Sequence, residues 1–235
     1  MKKLVVFILC VCSAFLMASC SSEFNYSAYV SELRQTIYEG ESQTFLVSLY
    51  AEQREDPFID DGYVGEIKNV VIVKVEFKQG SANDVKALIT YGNETHNASL
   101  TYNPVSGKSS AVIKVENLPE TAGVNVEITS GEICENVTLS SVVFDKTVDY
   151  KEAIKSAVNS DKATLEKLFE EGNVTAEIHV RLIRSEDKNY YYIGFVEQSG
   201  KTHAYLIDGE TANVLAKKLS TNKLAYVTYK QALVF

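Results

Sequence analysis

The chain has 235 residues, 23 basic and 31 acidic side chains, three histidines, four cysteines and no tryptophan. A net charge of −8 argues against nucleic acid as a partner and against a polybasic grip on anionic lipid. The length suits one large domain or two ordinary ones.

Lys2 and Lys3 precede an almost unbroken apolar run from Leu4 to Met17, and small residues, Ala18 and Ser19, abut Cys20. The run is too short and wrongly flanked for a permanent span, so residues 1–19 read as a secretory signal peptide. The segment resembles the signal of bacterial lipoproteins, whose lipobox ends on the cysteine that is lipidated; Met17 departs from the Leu usual at the first lipobox position. The resemblance implies acylation of Cys20, palmitate included, an extracytoplasmic location and membrane attachment through at least two acyl chains, enough for a stable anchor. Residues 20–27 would then be a lipidated tether. Cys10 and Cys12 leave with the signal, so Cys134 alone remains and no internal disulfide can form; it reads as a small buried hydrophobe on a strand.

Residues 28–146 show period-two alternation. Phe45, Val47 and Leu49 share one parity, as do Val71–Phe77, Val85–Tyr91, Ala98–Tyr102, Ala111–Val115 and Val124–Ile128 at alternate positions. Turn signals separate these runs, among them Glu39-Gly40-Glu41, Gln79-Gly80-Ser81 and Ser130-Gly131. Seven or eight such strands predict an all-β antiparallel sandwich of immunoglobulin-like architecture, without the Cys–Trp–Cys core of antibody domains.

Residues 147–235 change character. Asp149 with Glu152 predicts a helix start, with Ala153, Ile154, Ala157 and Val158 on its apolar side; a second helix is predicted from Ser160 or Asp161, through Leu165, Leu168 and Phe169, to Gly172. Strands follow at Val174–Leu182, Asn189–Glu197 and Thr202–Asp208, the last two joined by a Ser199-Gly200 turn. The prediction is a small α+β domain with helices on one face of an antiparallel sheet. Charge divides the chain at the same place: residues 21–146 hold 9 basic and 19 acidic groups, whereas 147–235 hold 12 of each. Each half is therefore expected to fold alone.

Tyr190-Tyr191-Tyr192-Ile193-Gly194-Phe195-Val196, then Ala204-Tyr205-Leu206-Ile207-Asp208 and Thr211–Leu215, resemble the ending of the PepSY module. Ala212 stands where that family has Gly, so Gly209 or Asn213 is expected to supply any positive φ. The resemblance implies an exported binding or regulatory module, of the kind that restrains secreted peptidases, and brings no catalytic residues.

Catalytic and metal motifs are absent from the sequence, and His96, His179 and His203 fall in separate elements, the latter two as exposed sheet histidines. The acidic loop Glu55–Gly62 offers weak calcium candidates in Asp56, Asp60 and Asp61. Tyr190, Tyr192 and Tyr205 make up a candidate partner surface on the strand face turned away from the helices. The expected function is that of a lipid-anchored, non-enzymatic envelope protein that needs no cofactor and binds, scaffolds or restrains an envelope or secreted protein. The alternative is a hydrolase or carbohydrate-binding lipoprotein with a loop-built site.

Overall fold

A computed structural model describes residues 24–56, 63–80, 84–120, 123–143, 146–170, 173–185 and 187–220. A 3-10 turn at Tyr26–Tyr29 precedes β1 (Val30–Glu41), β2 (Phe45–Glu55), β3 (Ile67–Phe77), β4 (Lys86–Tyr91), β5 (Glu94–Ser99), β6 (Thr101–Asn103), β7 (Lys108–Lys114), β8 (Val124–Ser130) and β9 (Ile133–Ser141). Helix α1 (Tyr150–Ser160), the short α2 (Lys162–Leu165) and a 3-10 turn (Glu166–Leu168) follow. Next come the small ladder of β10 (Phe169–Glu170) and β11 (Asn173–Val174), and then β12 (Ala176–Ser185), β13 (Lys188–Glu197), β14 (Thr202–Asp208) and β15 (Val214–Ser220).

Thirteen strands belong to one hydrogen-bonded sheet, and β1 is its junction. One edge of β1 pairs antiparallel with β2 from Glu32↔Arg54 to Glu41↔Leu46. The other edge is shared: Val30–Arg34 lie parallel to Ile178–Arg181 of β12, while Tyr38 and Glu39 pair with Ser141 and Ser140 of β9. From β2 the sheet continues through β3 and β7 to β6; from β9 it continues through β8 and β4 to β5, which comes back beside β7. The first part is thus a nearly closed barrel, and β12, β13, β14 and β15 extend from the seam at β1.

This overturns the expected immunoglobulin-like sandwich followed by a separate α+β domain. Of the described residues 61% are strand and 12% helical, and the two short helices cover only part of a single continuous sheet. The physical reason lies in β1, which joins the halves by backbone hydrogen bonds. A register shift between Arg34 and Thr36 breaks its alternation. Gly40, which looks like a turn signal, lies within β1: a Cβ there would sit 2.6 Å from the Thr138 carbonyl oxygen of β9, so the two backbones meet only at a glycine. The predicted strand Ala98–Tyr102 is likewise two strands. Its chain leaves the ladder with β4 at buried Leu100 and joins β7.

Two apolar cores form. Tyr38, Phe45, Leu49, Val73, Ile89 and Leu139 fill the barrel, where Tyr38 donates to the Pro119 carbonyl at 2.9 Å. Ile154, Leu165, Ile178, Val180, Phe195 and Ile207 fill the space between the helices and β12–β14. Burying each such Leu, Ile or Phe stabilises the fold by about 1.5–3 kcal/mol, which outweighs local propensity.

The start of α1 is as predicted: the Asp149 carboxylate accepts from the Lys151 N–H at 2.8 Å, and Ala153, Ile154, Ala157 and Val158 are all buried. The predicted second helix stops early. Phe169 leaves it to enter β10, drawn into a ring cluster with Tyr26, Tyr29 and Phe195, whose centroids lie 5.4, 5.5 and 5.9 Å away. Aromatic burial of this kind decides a marginal helix end. Phe24 and Tyr26, read as tether, pack against the same core.

Candidate functional site

The outer face of β12–β15, opposite the helices, is the candidate for recognition, because it carries an apolar, partly exposed groove. In-register pairs put Tyr192 beside Leu206 and Gly194 beside Ala204, and Leu206 in turn beside Ala216. Tyr192, Ala204, Leu206 and Ala216, with Ile183 and Lys218, line a groove of about 260 Å³. A Cβ at Gly194 would meet the Tyr192 hydroxyl at 2.8 Å, so the glycine lets that ring lie along its own strand. The Arg181 guanidinium stands 5.6 Å from the ring centroid on the other side.

Beyond Tyr192 the same face becomes a buried row of charges across the seam. Arg181 grips Glu32 side-on, through Nε to Oε1 and through Nη2 to Oε2 at 2.6 Å. His179 Nδ1 lies 3.8 Å from Glu32 Oε2. Arg34 Nε donates to Glu52 Oε2 at 3.2 Å, and Arg34 and Lys74 flank the Tyr50 ring at 4.8 and 4.7 Å. Burial works against the charged form of Glu32, but Arg181, with His179 and Arg34, outweighs it and holds the carboxyl well below its usual range. Burial, then the charge of Glu32, pushes Glu52 upward against its arginine partners. Burial and the nearby Arg34 and Lys108 bring Lys74 down to about 8. These carboxylates are committed to guanidinium groups, so the row ties β1 to β12.

The predicted site residues fare unequally. Tyr192 lines the groove, and Tyr190 is half-buried on the same face, opposite Asp208. Tyr205 is on the other face: it pairs with Ile193, packs 5.8 Å from Phe195 and donates to Asp161 Oδ2 at 3.2 Å. The turn explains the slip. Ser199-Gly200 as a two-residue loop would set Tyr205 opposite Gly194; instead Glu197 N–H donates to the Lys201 carbonyl around a three-residue loop, with Gly200 at φ +78°. His179 and His203, expected exposed, are 2% and 6% exposed; His203 Nε2 lies 2.8 Å from Glu197 Oε1. Cys134, expected buried, is exposed on β9.

Of the calcium candidates, Asp56 is ion-paired to Lys114. Hydrogen bonding from Lys114 lowers its pKa. Asp60 and Asp61, like Cys20, lie outside the described residues. Among the described residues no group of three or more His, Cys, Asp or Glu is placed to hold a metal ion, and no helix is long and apolar enough to cross a membrane. His96 belongs to a hydrogen-bonded knot, with Nε2 3.1 Å from the Tyr91 hydroxyl and 3.0 Å from Glu94, which itself accepts from Asn117.

The turn after β14 departs from the expectation for Ala212. Ala212 itself takes φ +57°, held there because its N–H donates to the Asp208 carbonyl while the Asp208 carboxylate collects Glu210 and Thr211. Gly209 serves close approach instead: a Cβ there would sit 2.4 Å from the Asn189 carbonyl oxygen. A second, wider cleft of about 1300 Å³ runs between α1 and the segment Phe24–Ser27. Acidic and basic side chains alternate there, as in the Lys162–Glu166 pair at 3.5 Å. Comparison with protein-family models, with curated proteins and with solved structures finds no match.

Proposed function

We propose that this protein is a lipid-anchored envelope module that binds another protein and does not catalyse. Acylation at Cys20 holds it on the outer side of the membrane, and the groove on the β12–β15 face takes an extended apolar segment of an envelope or secreted protein, scaffolding it or, in the manner of PepSY modules, restraining a peptidase. The observation that carries this reading is the apolar floor of Ile183, Tyr192, Ala204, Leu206 and Ala216, a contiguous and partly exposed surface in a groove, the kind of concavity in which ligands bind. Among the described residues β15 is the last strand on its side of the sheet, an edge on which an extended segment can pair.

The test uses cells making the full chain with a photo-cross-linking residue at Lys218, on the groove rim. A discrete heavier adduct with one extracytoplasmic protein is expected in the membrane fraction, and Cys20→Ser should move chain and adduct to the soluble fraction. Groove positions that yield no heavier adduct sink the binding reading. A Cys20→Ser chain that stays with the membrane sinks the anchor.

A further inference from the structure

The first described residues fix which side of the protein lies nearest its anchor. The Phe24 ring packs with centroids 4.8, 5.5 and 5.9 Å from those of Tyr26, Tyr29 and Phe169, and the Tyr26 N–H donates to the Phe24 carbonyl at 3.1 Å. From Phe24 onward the expected tether is therefore part of the second core. Four residue steps separate Phe24 from Cys20, and a chain covers at most about 14 Å in four steps whatever its conformation. The segment Phe24–Ser27 borders one cleft with α1, so this side of the second core is held close to the acylated cysteine. The far side of the barrel is not: β9 meets β1 only at Tyr38 and Glu39, about 26 Å along the strand from Val30.

Charge favours the same side. Residues 21–146 hold 9 basic and 19 acidic groups, so the acidity belongs to the barrel half, whereas 147–235 hold 12 of each. Along α1 and the turn after it, exposed Lys151, Lys155 and Lys162 recur at helical spacing, interspersed with Glu152 and Glu166. A surface of both signs suits the phosphate and ammonium groups of phospholipid headgroups, which long lysine side chains can reach, whereas anionic lipid repels an acidic surface. We propose that the α1 side of the protein lies against the headgroup layer of the membrane, held there by a link too short to act as a spacer, with the barrel directed away from the bilayer. This orientation rests on acylation of Cys20 and adds to it the face that touches lipid.

The experiment uses the acylated full chain with Cys134→Ser, which removes the exposed thiol. A thiol fluorophore is placed by Asn159→Cys, on the exposed side of α1, or by Asn136→Cys, exposed on β9. Each protein is reconstituted on phosphatidylcholine vesicles in which a fraction of the headgroups carries a nitroxide quencher. Quenching at position 159 should exceed that at 136 at least threefold, and ten Gly/Ser residues inserted between Ser22 and Glu23 should lower it at least twofold. Equal quenching at the two positions, stronger quenching at 136, or a value at 159 that the insertion leaves unchanged would overturn the proposal. Flotation of the chain with the vesicles, compared with Cys20→Ser, reports the anchor separately. A chain that floats but shows no difference between the positions refutes the orientation alone; one that does not float refutes the anchor, and the orientation with it.

Discussion

Removing Arg181 alone should be far more costly than removing it together with Glu32. Both side chains are about nineteen-twentieths buried, at 4% and 5% exposure, and they meet across the parallel pairing of β1 with β12. Arg181→Leu leaves Glu32 buried, with His179 at 3.8 Å and Arg34 as weaker compensation. Breaking a buried pair in this way costs about 3–5 kcal/mol, a large share of a typical folding free energy. Glu32→Leu/Arg181→Leu removes both charges and should cost under about 1 kcal/mol or stabilise the fold, giving a strong coupling energy in the double-mutant cycle.

The pH dependence makes the test sharper. In the native protein Glu32 titrates well below its ordinary value of 4.5, so its contribution to stability is present above pH 4.5 and is lost as pH falls toward the depressed value. In Arg181→Leu the main opposing charge is gone, and burial raises the Glu32 pKa above 4.5. A raised carboxyl favours the folded state below its unfolded pKa and loses that contribution as pH rises through the folded one. The deficit of the variant should therefore shrink between pH 7 and pH 4. Urea midpoints of the full-length chain at both pH values, with m unchanged, measure this directly. A single-variant loss under about 1 kcal/mol at pH 7, or a double variant that costs the sum of the singles, would refute the account of the seam.

Phe195→Ala, at a fully buried ring in the second core, should cost about 3–5 kcal/mol, and Tyr190→Ala under about 1.5 kcal/mol; equal small losses by thermal melting would show that the faces of β13 are misassigned. Burial, with the charges of Glu120 and Asp149 respectively, raises Tyr38 and Tyr191 to about 12. A raised tyrosine contributes stability below pH 10 that is lost as pH rises through 12, so unfolding in that window should coincide with a late step of phenolate absorbance; a phenolate titration complete by pH 11 in the still-folded chain would contradict it. The fragment 147–235 lacks β1 and so leaves Arg181 without Glu32 and Ile178 and Val180 without Val30 and Leu33. It should show no cooperative melt by circular dichroism, and a sharp transition would mean that β1 is dispensable to the second core.

Much of the fold was legible because period-two alternation reports a strand with one apolar face. Phe45–Leu49, Val71–Phe77, Val124–Ile128 and Tyr191–Phe195 all pack as their parity implies. What alternation does not report is whether the opposite face meets water. His179 is expected exposed, yet it and its neighbours on that face, Glu177 and Arg181, are all buried. In β1 this ambiguity hid the element entirely: Glu32 and Arg34 are buried charges, the shift after Arg34 breaks the period, and Gly40 imitates a turn. The strand that decides the architecture is thus the one whose local signals are least strand-like, because it satisfies three neighbours at once.

The candidate site turns on a smaller quantity, one residue of loop length. A two-residue turn after Gln198 would carry Tyr205 onto the face of Tyr190 and Tyr192 and make an aromatic cluster. The three-residue turn sends it to the core, where Asp161 satisfies its hydroxyl, and brings Leu206 and Ala204 up beside Tyr192 instead. The sequence allows either turn. The core selects between them: Tyr205 fills space against Phe195, and its alternative occupant, Leu206, has no polar end with which to reach Asp161. The surface left outside is therefore aliphatic around a single tyrosine ring, a chemistry that suits an extended apolar strand better than stacked sugars or bases.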